Sequence, residues 1–246
     1  MRNSNIVYNK IEQMKESVTY EGATATYKGI GLKLLYYIGI TLVGAILGIV
    51  LLFKAPDLLV SGSIVAAIVT LICAIIAMSS PKASFVAGTI YCLFEGVFVG
   101  AVSLLFEGIV SGIIITAVLG TISIVLVIGI LYATGLIKVT NGFYRFLIMF
   151  GLGFVLCSLL VGLLSLFPAF NGIFNNFGVI VLVEVISLLL ASLYLISDLH
   201  QATLIVENGS PKVYEWMAAF GLAYTVIWIY IQVLRLVAVI ASKNNN

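Results

Sequence analysis

Charge is scarce in this chain: Lys, Arg, Asp and Glu make up 9% of its 246 residues, against about a quarter in an ordinary soluble domain. That scarcity excludes a conventional soluble fold. A net charge of +2, with basic residues not clustered among aromatics, excludes a nucleic-acid partner. Proline is as rare, and Pro56, Pro81, Pro168 and Pro211 all fall in short polar breaks, never inside a long apolar stretch. Proline would remove a helix hydrogen bond, so its absence from the stretches supports reading them as helices. Cys73, Cys92 and Cys157 each sit within an apolar stretch without metal-ligand spacing, as buried small hydrophobes rather than a disulfide framework. Enzyme signatures are also missing: there is no His-Glu-x-x-His site, no Gly-x-Ser-x-Gly elbow and no phosphate-binding Gly-x-x-x-x-Gly-Lys-Ser/Thr loop. With one histidine, His200, outside the apolar stretches, no catalysis and no haem, flavin or nucleotide cofactor is expected.

What the chain has in abundance is hydrocarbon, with 62% of residues hydrophobic. Seven spans are predicted, Leu32–Phe53, Leu58–Met78, Ser84–Phe106, Ile109–Ala133, Phe143–Phe167, Phe177–Ser197 and Val213–Ile240. Roughly 20 helical residues cross about 30 Å of hydrocarbon, so each suffices. Barrel strands would alternate polar and apolar residues, and these stretches do not. The fold class is therefore all-α, a polytopic membrane bundle of seven helices. It divides into an N-terminal arm (1–31), a membrane domain (32–240) and a C-terminal tail (241–246). The first thirty residues lack the apolar centre of a signal peptide, so insertion is expected to rely on the first membrane helix, uncleaved. The arm reads either as an amphipathic surface helix around Ile6 to Val18 or as a disordered tail.

Orientation follows from the basic residues. With the N-terminus cytoplasmic, that side collects nine of them, including Lys28, Lys33, Lys82, Lys138, Arg145 and Lys212; the other side receives three, Lys54, Arg235 and Lys243. The expected location is the cell membrane, N-terminus inside and C-terminus outside. Small residues recur at spacing four, Gly44 with Gly48 and Gly96 with Gly100. Such pairs let helix backbones approach closely where lipid supplies no drive for association. Which helices they join is not given by the spacing.

Three acids are costly in hydrocarbon, at about 2.5–3.5 kcal/mol each at a helix centre, so each must face the bundle interior or water. Glu95 lies about 17 Å from the inner end of the third span, and Glu184 about 20 Å from the inner end of the sixth, which places them at similar depth. Asp198 closes the sixth span on the cytoplasmic side. Glu184 and Asp198 stand within about 40° on one helix face. Such a file suits a cation or proton path, whereas hydrogen-bonded carboxyls that only fix packing are the plainer reading. On the last span Thr225, Trp228, Gln232 and Arg235 share a face. Gln232 is a candidate partner for an acid, and Arg235 is expected to snorkel to the outer interface. Tyr214 and Trp216 read as interfacial anchors. His200, in the connection after the sixth span, reads as a surface histidine or, with Asp198, as a pH-responsive pair.

Several segments carry a family resemblance: Tyr91-Cys92-Leu93-Phe94-Glu95-Gly96, Leu195-Ile196-Ser197-Asp198-Leu199-His200-Gln201, and Tyr230-Ile231-Gln232-Val233-Leu234-Arg235. From about Thr19 to Ala241 the chain resembles the Bax inhibitor-1/YccA-like membrane proteins, the transmembrane Bax inhibitor motif family. Glu215-Trp216-Met217-Ala218-Ala219-Phe220-Gly221 points to the bacterial branch. The resemblance implies seven helices with the last one central. It also implies, as in some members, a pH-sensitive calcium leak that uses an Asp on helix six paired with an Asp on helix seven. Asp198 matches the first through its Asp-x-x-Gln surroundings. Helix seven here has no Asp, and the second position falls on Thr225 or Gln232, which breaks the two-carboxylate pattern. Glu184 or Glu95 would then substitute, or calcium conduction is lost. Other members are implied to modulate a membrane-bound protease or other membrane complexes, a role that needs no pore.

The functional expectation is a pH-sensitive cation leak, with calcium or protons as its transient cargo. Asp198, Glu184 and Glu95 would line it, with Gln232 and Thr225 on the last helix and His200 beside Asp198 for pH sensing. The alternatives are a non-conducting regulator that binds membrane proteins, and a proton-coupled carrier, for which no broken helix is evident. Lipid is the assured partner; the oligomeric state is left open.

Overall fold

The computed structural model describes residues 23–167 and 176–244, and the predicted surface helix around Ile6 to Val18 lies outside these residues. Seven helices follow in order: α1 Tyr27–Lys54, α2 Pro56–Ser79, α3 Ser84–Ile109, α4 Ile113–Ala133, α5 Asn141–Leu164, α6 Phe177–Glu207 and α7 Tyr214–Asn244. All seven are long and apolar enough to cross a membrane. A helix is the form these sequences must take in lipid, because it alone satisfies every backbone polar group within one segment. The starts are marked by side chains: Thr26 Oγ1 accepts from Gly29 N at 3.0 Å, Thr140 Oγ1 from Phe143 N at 3.3 Å and Asn176 Oδ1 from Gly178 N at 2.9 Å. Pro56 opens α2, where its missing N–H costs nothing. Before α4 the chain turns through Gly112 at φ +82°, and Glu107 accepts from Gly112 N at 2.6 Å and Ile114 N at 3.0 Å.

We call the face where α1 starts the N face and the opposite one, where α7 ends, the C face. Three boundaries differ from the sequence reading in ways that matter. α1 starts at Tyr27, inside the stretch assigned to the arm. α7 runs on into the stretch assigned to the tail. The largest change is in α6, which continues ten residues past Ser197 to Glu207. Asp198 therefore does not close the helix, and His200 belongs to α6 rather than to a connection. Polar residues near an interface look like a helix end, but here the helix continues and Asp198 and His200 turn to cavities along the bundle.

The expected central position of the last helix is borne out. Ala218, Ala219, Phe220, Leu222 and Ala223 are all buried, which leaves that part of α7 no lipid-facing side. α7 packs against α1, α2, α3, α4 and α6. By contrast, α2 exposes Val60 at 75% and Ile64 at 72%, an apolar face turned to lipid. α5 rests on α6 through Leu147 and Gly151, where the missing side chain of Gly151 admits Tyr194. At the N face the chain before α1 is stitched to the α6–α7 turn: Ala25 N donates to Ser210 O at 2.8 Å and Lys212 N to Ala23 O at 3.0 Å.

The two glycine pairs face each other across the α1–α3 seam. A methyl group on Gly44 would strike Leu93 O, on Gly48 Val97 O, on Gly96 Thr41 O and on Gly100 Ala45 O. The obstacles are backbone atoms, which cannot step aside. Gly96→Ala or Gly48→Ala is therefore expected to lower stability by about 1–3 kcal/mol, the usual cost of overpacking. Gly39→Ala on the open side of α1 meets nothing within 4 Å and should leave the thermal unfolding midpoint in detergent unchanged or slightly raised.

Candidate functional site

The α6–α7 seam holds most of the polar chemistry, because the face of α7 carrying Thr225, Trp228, Gln232 and Arg235 is turned to α6. Toward the N face, the Thr225 hydroxyl donates to Asp198 Oδ2. This contact decides which residue of α7 answers Asp198: it is Thr225, not Gln232. Asp198 is only half-buried, although packed deep in the bundle, because it opens onto a cavity of about 830 Å³ between α5, α6 and α7. Ser197, Gln201 and Thr225 add polar atoms to that wall, and most of the remaining lining is apolar. Trp228 limits the cavity toward the C face, and Tyr194 stacks near it with ring centroids 5.8 Å apart.

Beyond Trp228 the seam is sealed by a polar ladder. Arg235 Nη2 lies 2.6 Å from Glu184 Oε1. With its amide turned so that nitrogen faces the carboxylate, Gln232 donates to Glu184 Oε2 at 3.0 Å and accepts from Trp228 Nε1 at 2.8 Å. Glu184 is thus a buried acid with both oxygens engaged. The expectation that Gln232 meets an acid on another helix holds, and that acid is Glu184. Arg235, read in the sequence as an interfacial residue, does keep a 51% exposed side chain, but its charged end pairs with Glu184. A solvated guanidinium would not need to reach inward; a buried carboxylate needs a cation, and this need fixes the pairing.

Glu95 and Glu184 do not share a depth. The extra turns of α6 put Glu184 about 35 Å from its N-face end, while Glu95 remains about 17 Å along α3. Glu95 instead lies level with Asp198, and Tyr224 of α7 stands within electrostatic reach of both. Tyr91, one turn before Glu95, packs against Tyr224 at 5.5 Å and Phe220 at 5.3 Å. No hydrogen bond or ion pair holds the Glu95 carboxyl among the described residues, and it does not line the Asp198 cavity. The three acids therefore form no continuous file: one faces open space, one is ion-paired, and one stands beside two tyrosines.

His200 points away from Asp198, two residues on and nearly opposite around the helix. Its Nδ1 lies 3.1 Å from Tyr132 Oη, which also donates to Thr203 Oγ1 at 3.1 Å. It lines a second N-face cavity with Tyr132 and Lys138, so the proposed Asp198–His200 pair is not assembled.

A cluster that the sequence reading passed over sits at the same face. Glu215, fully buried in the first turn of α7, accepts from Thr26 N at 2.9 Å and Thr26 Oγ1 at 3.2 Å, and pairs with Lys33 of α1. Gly29 makes room for that carboxylate, and Lys33 also lies over the Trp216 ring at 5.1 Å. Trp216 is accordingly packed with Phe85, 4.5 Å between centroids, rather than acting only as an interfacial anchor. The signal for this cluster was a lone acid at the start of an apolar helix with a lysine inside another.

No group of three or more His, Cys, Asp or Glu side chains gathers into a metal-binding cluster among the described residues. A family model described as Bax inhibitor 1 like matches residues 5–242, nearly the whole chain. None of the curated proteins compared with the chain matches it.

Arg235→Met is expected to strand Glu184 with Gln232 alone and to cost about 1–3 kcal/mol, the usual penalty for an unsatisfied buried group. Adding Glu184→Gln should recover most of that loss. Thermal unfolding of the two single variants and the double variant closes the cycle, and strictly additive losses would show that the pair is not coupled.

Proposed function

From the premise that the chain belongs to the Bax inhibitor 1 like family, we propose that this multi-pass membrane protein is a pH-sensitive cation leak, with calcium the first candidate cargo. The observation that carries the reading is Asp198: it both opens onto a cavity of about 830 Å³ and ties α6 to α7, through Thr225. As a carboxylate it accepts the Thr225 hydroxyl; once protonated it loses its charge and gains a donor of its own. The α6–α7 contact and the charge in the cavity thus change together with pH. The Trp228–Gln232–Glu184–Arg235 ladder closes the seam on the other side, so passage requires the two helices to part there. Nine basic residues on the N-face side of the spans against three on the other support a cytoplasmic N face and a cell-membrane location. The segment Glu215 to Gly221 supports the bacterial branch of the family.

One carboxylate with neutral oxygens around it is a poor holder of calcium, which takes 6–8 oxygens. Poor holding is compatible with leakage, since conduction requires that an ion also leave. A non-conducting regulator of membrane proteins is the second reading, supported by the absence of a matching acid on α7 and by the broad apolar surface of α5.

Calcium uptake into sealed vesicles separates the two. The leak predicts uptake that changes between about pH 5 and 8, and a flattened pH profile in Asp198→Asn with Glu95→Gln still pH-dependent. Folded protein giving no uptake above empty vesicles at any pH would discard the leak in favour of the regulator.

A further inference from the structure

The Asp198 cavity has features that an inorganic ion would leave unused. At about 830 Å³ it falls within the range of small-molecule sites. Among the described residues, Asp198 is the only formally charged one in its wall. Among the described residues, Arg235 of α7 is committed to Glu184, and Arg145, exposed near the start of α5, does not line the cavity. One negative charge asks for one positive charge.

The remaining lining asks for a large apolar body. Tyr194, Tyr224 and Trp228 present aromatic rings in the same wall as the carboxylate. Aromatic faces beside an acid are the usual means of holding an organic ammonium, which carries its charge spread over carbon and needs no oxygen cage. Opposite them, Leu152, Val155 and Leu159 of α5 line the cavity and yet are 55–61% exposed. That wall is therefore open to the surroundings of α5, which in a membrane span are lipid rather than water.

We propose that this cavity binds an amphiphilic organic cation, a singly charged ammonium with an aliphatic or aromatic body, taken up sideways from the bilayer between α5 and the α6–α7 seam. The charged end meets Asp198 with Thr225 and Gln201 beside it, the rings of Tyr224 and Trp228 flank it, and the body lies along α5. The proposal takes the cavity as a cation site, as the leak does, but requires no passage across the membrane.

Trp228 supplies the readout. In the full chain carrying Trp216→Phe, reconstituted in nanodiscs of neutral phosphatidylcholine, dodecyltrimethylammonium is expected to change Trp228 fluorescence saturably. Dodecanol, of the same chain length but neutral, should give no saturable change. Asp198→Asn should weaken the ammonium at least about tenfold, the loss of one charge contact. Ser158→Phe, an exposed α5 position lining the cavity, should block binding while leaving Asp198 and the core intact, and covers the case in which Asp198→Asn fails to fold. Glu207→Gln, at the exposed N-face end of α6 and outside the cavity, should bind as before. Equal responses to ammonium and alcohol would reveal an ordinary acyl-chain groove and overturn the proposal. So would unchanged affinity in folded Asp198→Asn or in Ser158→Phe, or no saturable response at all. Because this is equilibrium binding, it stands or falls separately from calcium uptake by vesicles.

Discussion

Hydrocarbon offers a buried carboxylate neither a hydrogen bond nor a counter-charge, so an acid in the bundle gains most from a partner on another helix, which among the described residues only Glu95 of the three mid-span acids lacks. In this bundle the answer passes through α7 for three acids. Glu184 is met by Arg235 and Gln232, Asp198 by Thr225, and Glu215 is contributed by α7 itself and met by Lys33 and Thr26 of α1. The enclosed position of α7 and this division of partners are one fact seen twice. A helix surrounded by others is the only one able to reach acids on several of them.

Along the α6–α7 seam the partners sort into two layers, about 15 Å apart on α7. The layer nearer the C face engages both carboxylate oxygens of Glu184, an ion pair braced by an amide and an indole. The layer nearer the N face is satisfied on one oxygen and open on the cavity side. A seam that is locked at one end and loose at the other gives its acids unlike environments. It also explains why the acids do not act as a chain of equivalent stations: their surroundings give them different work.

Much of this was legible in the sequence. Seven apolar stretches without proline yield seven helices, and the shared face of Thr225, Trp228, Gln232 and Arg235 is the face that meets α6. The glycine pairs announced a close seam, although periodicity in one helix cannot name its partner; the structure pairs α1 with α3. What misled was the N-face end of α6. Asp198, His200 and Gln201 look like a chain leaving the membrane, and measuring depth from that false end set Glu184 level with Glu95. Polarity marks contact with something other than lipid, and that something was protein. Arg235 was half legible: its place near the end of the last span suggested the interface, and its side chain is 51% exposed, but its charged end pairs with Glu184, fifty-one residues earlier.

The contact between Glu215 and the start of α1 joins residues 182 and 189 positions apart in sequence. During synthesis Lys33 and Thr26 enter the membrane long before their acid exists. The first hairpin must therefore wait with Lys33 short of its acid, with water and lipid headgroups at the N face as interim partners. Seating of the final helix relieves the first one, so biogenesis of this bundle ends by closing on its own beginning.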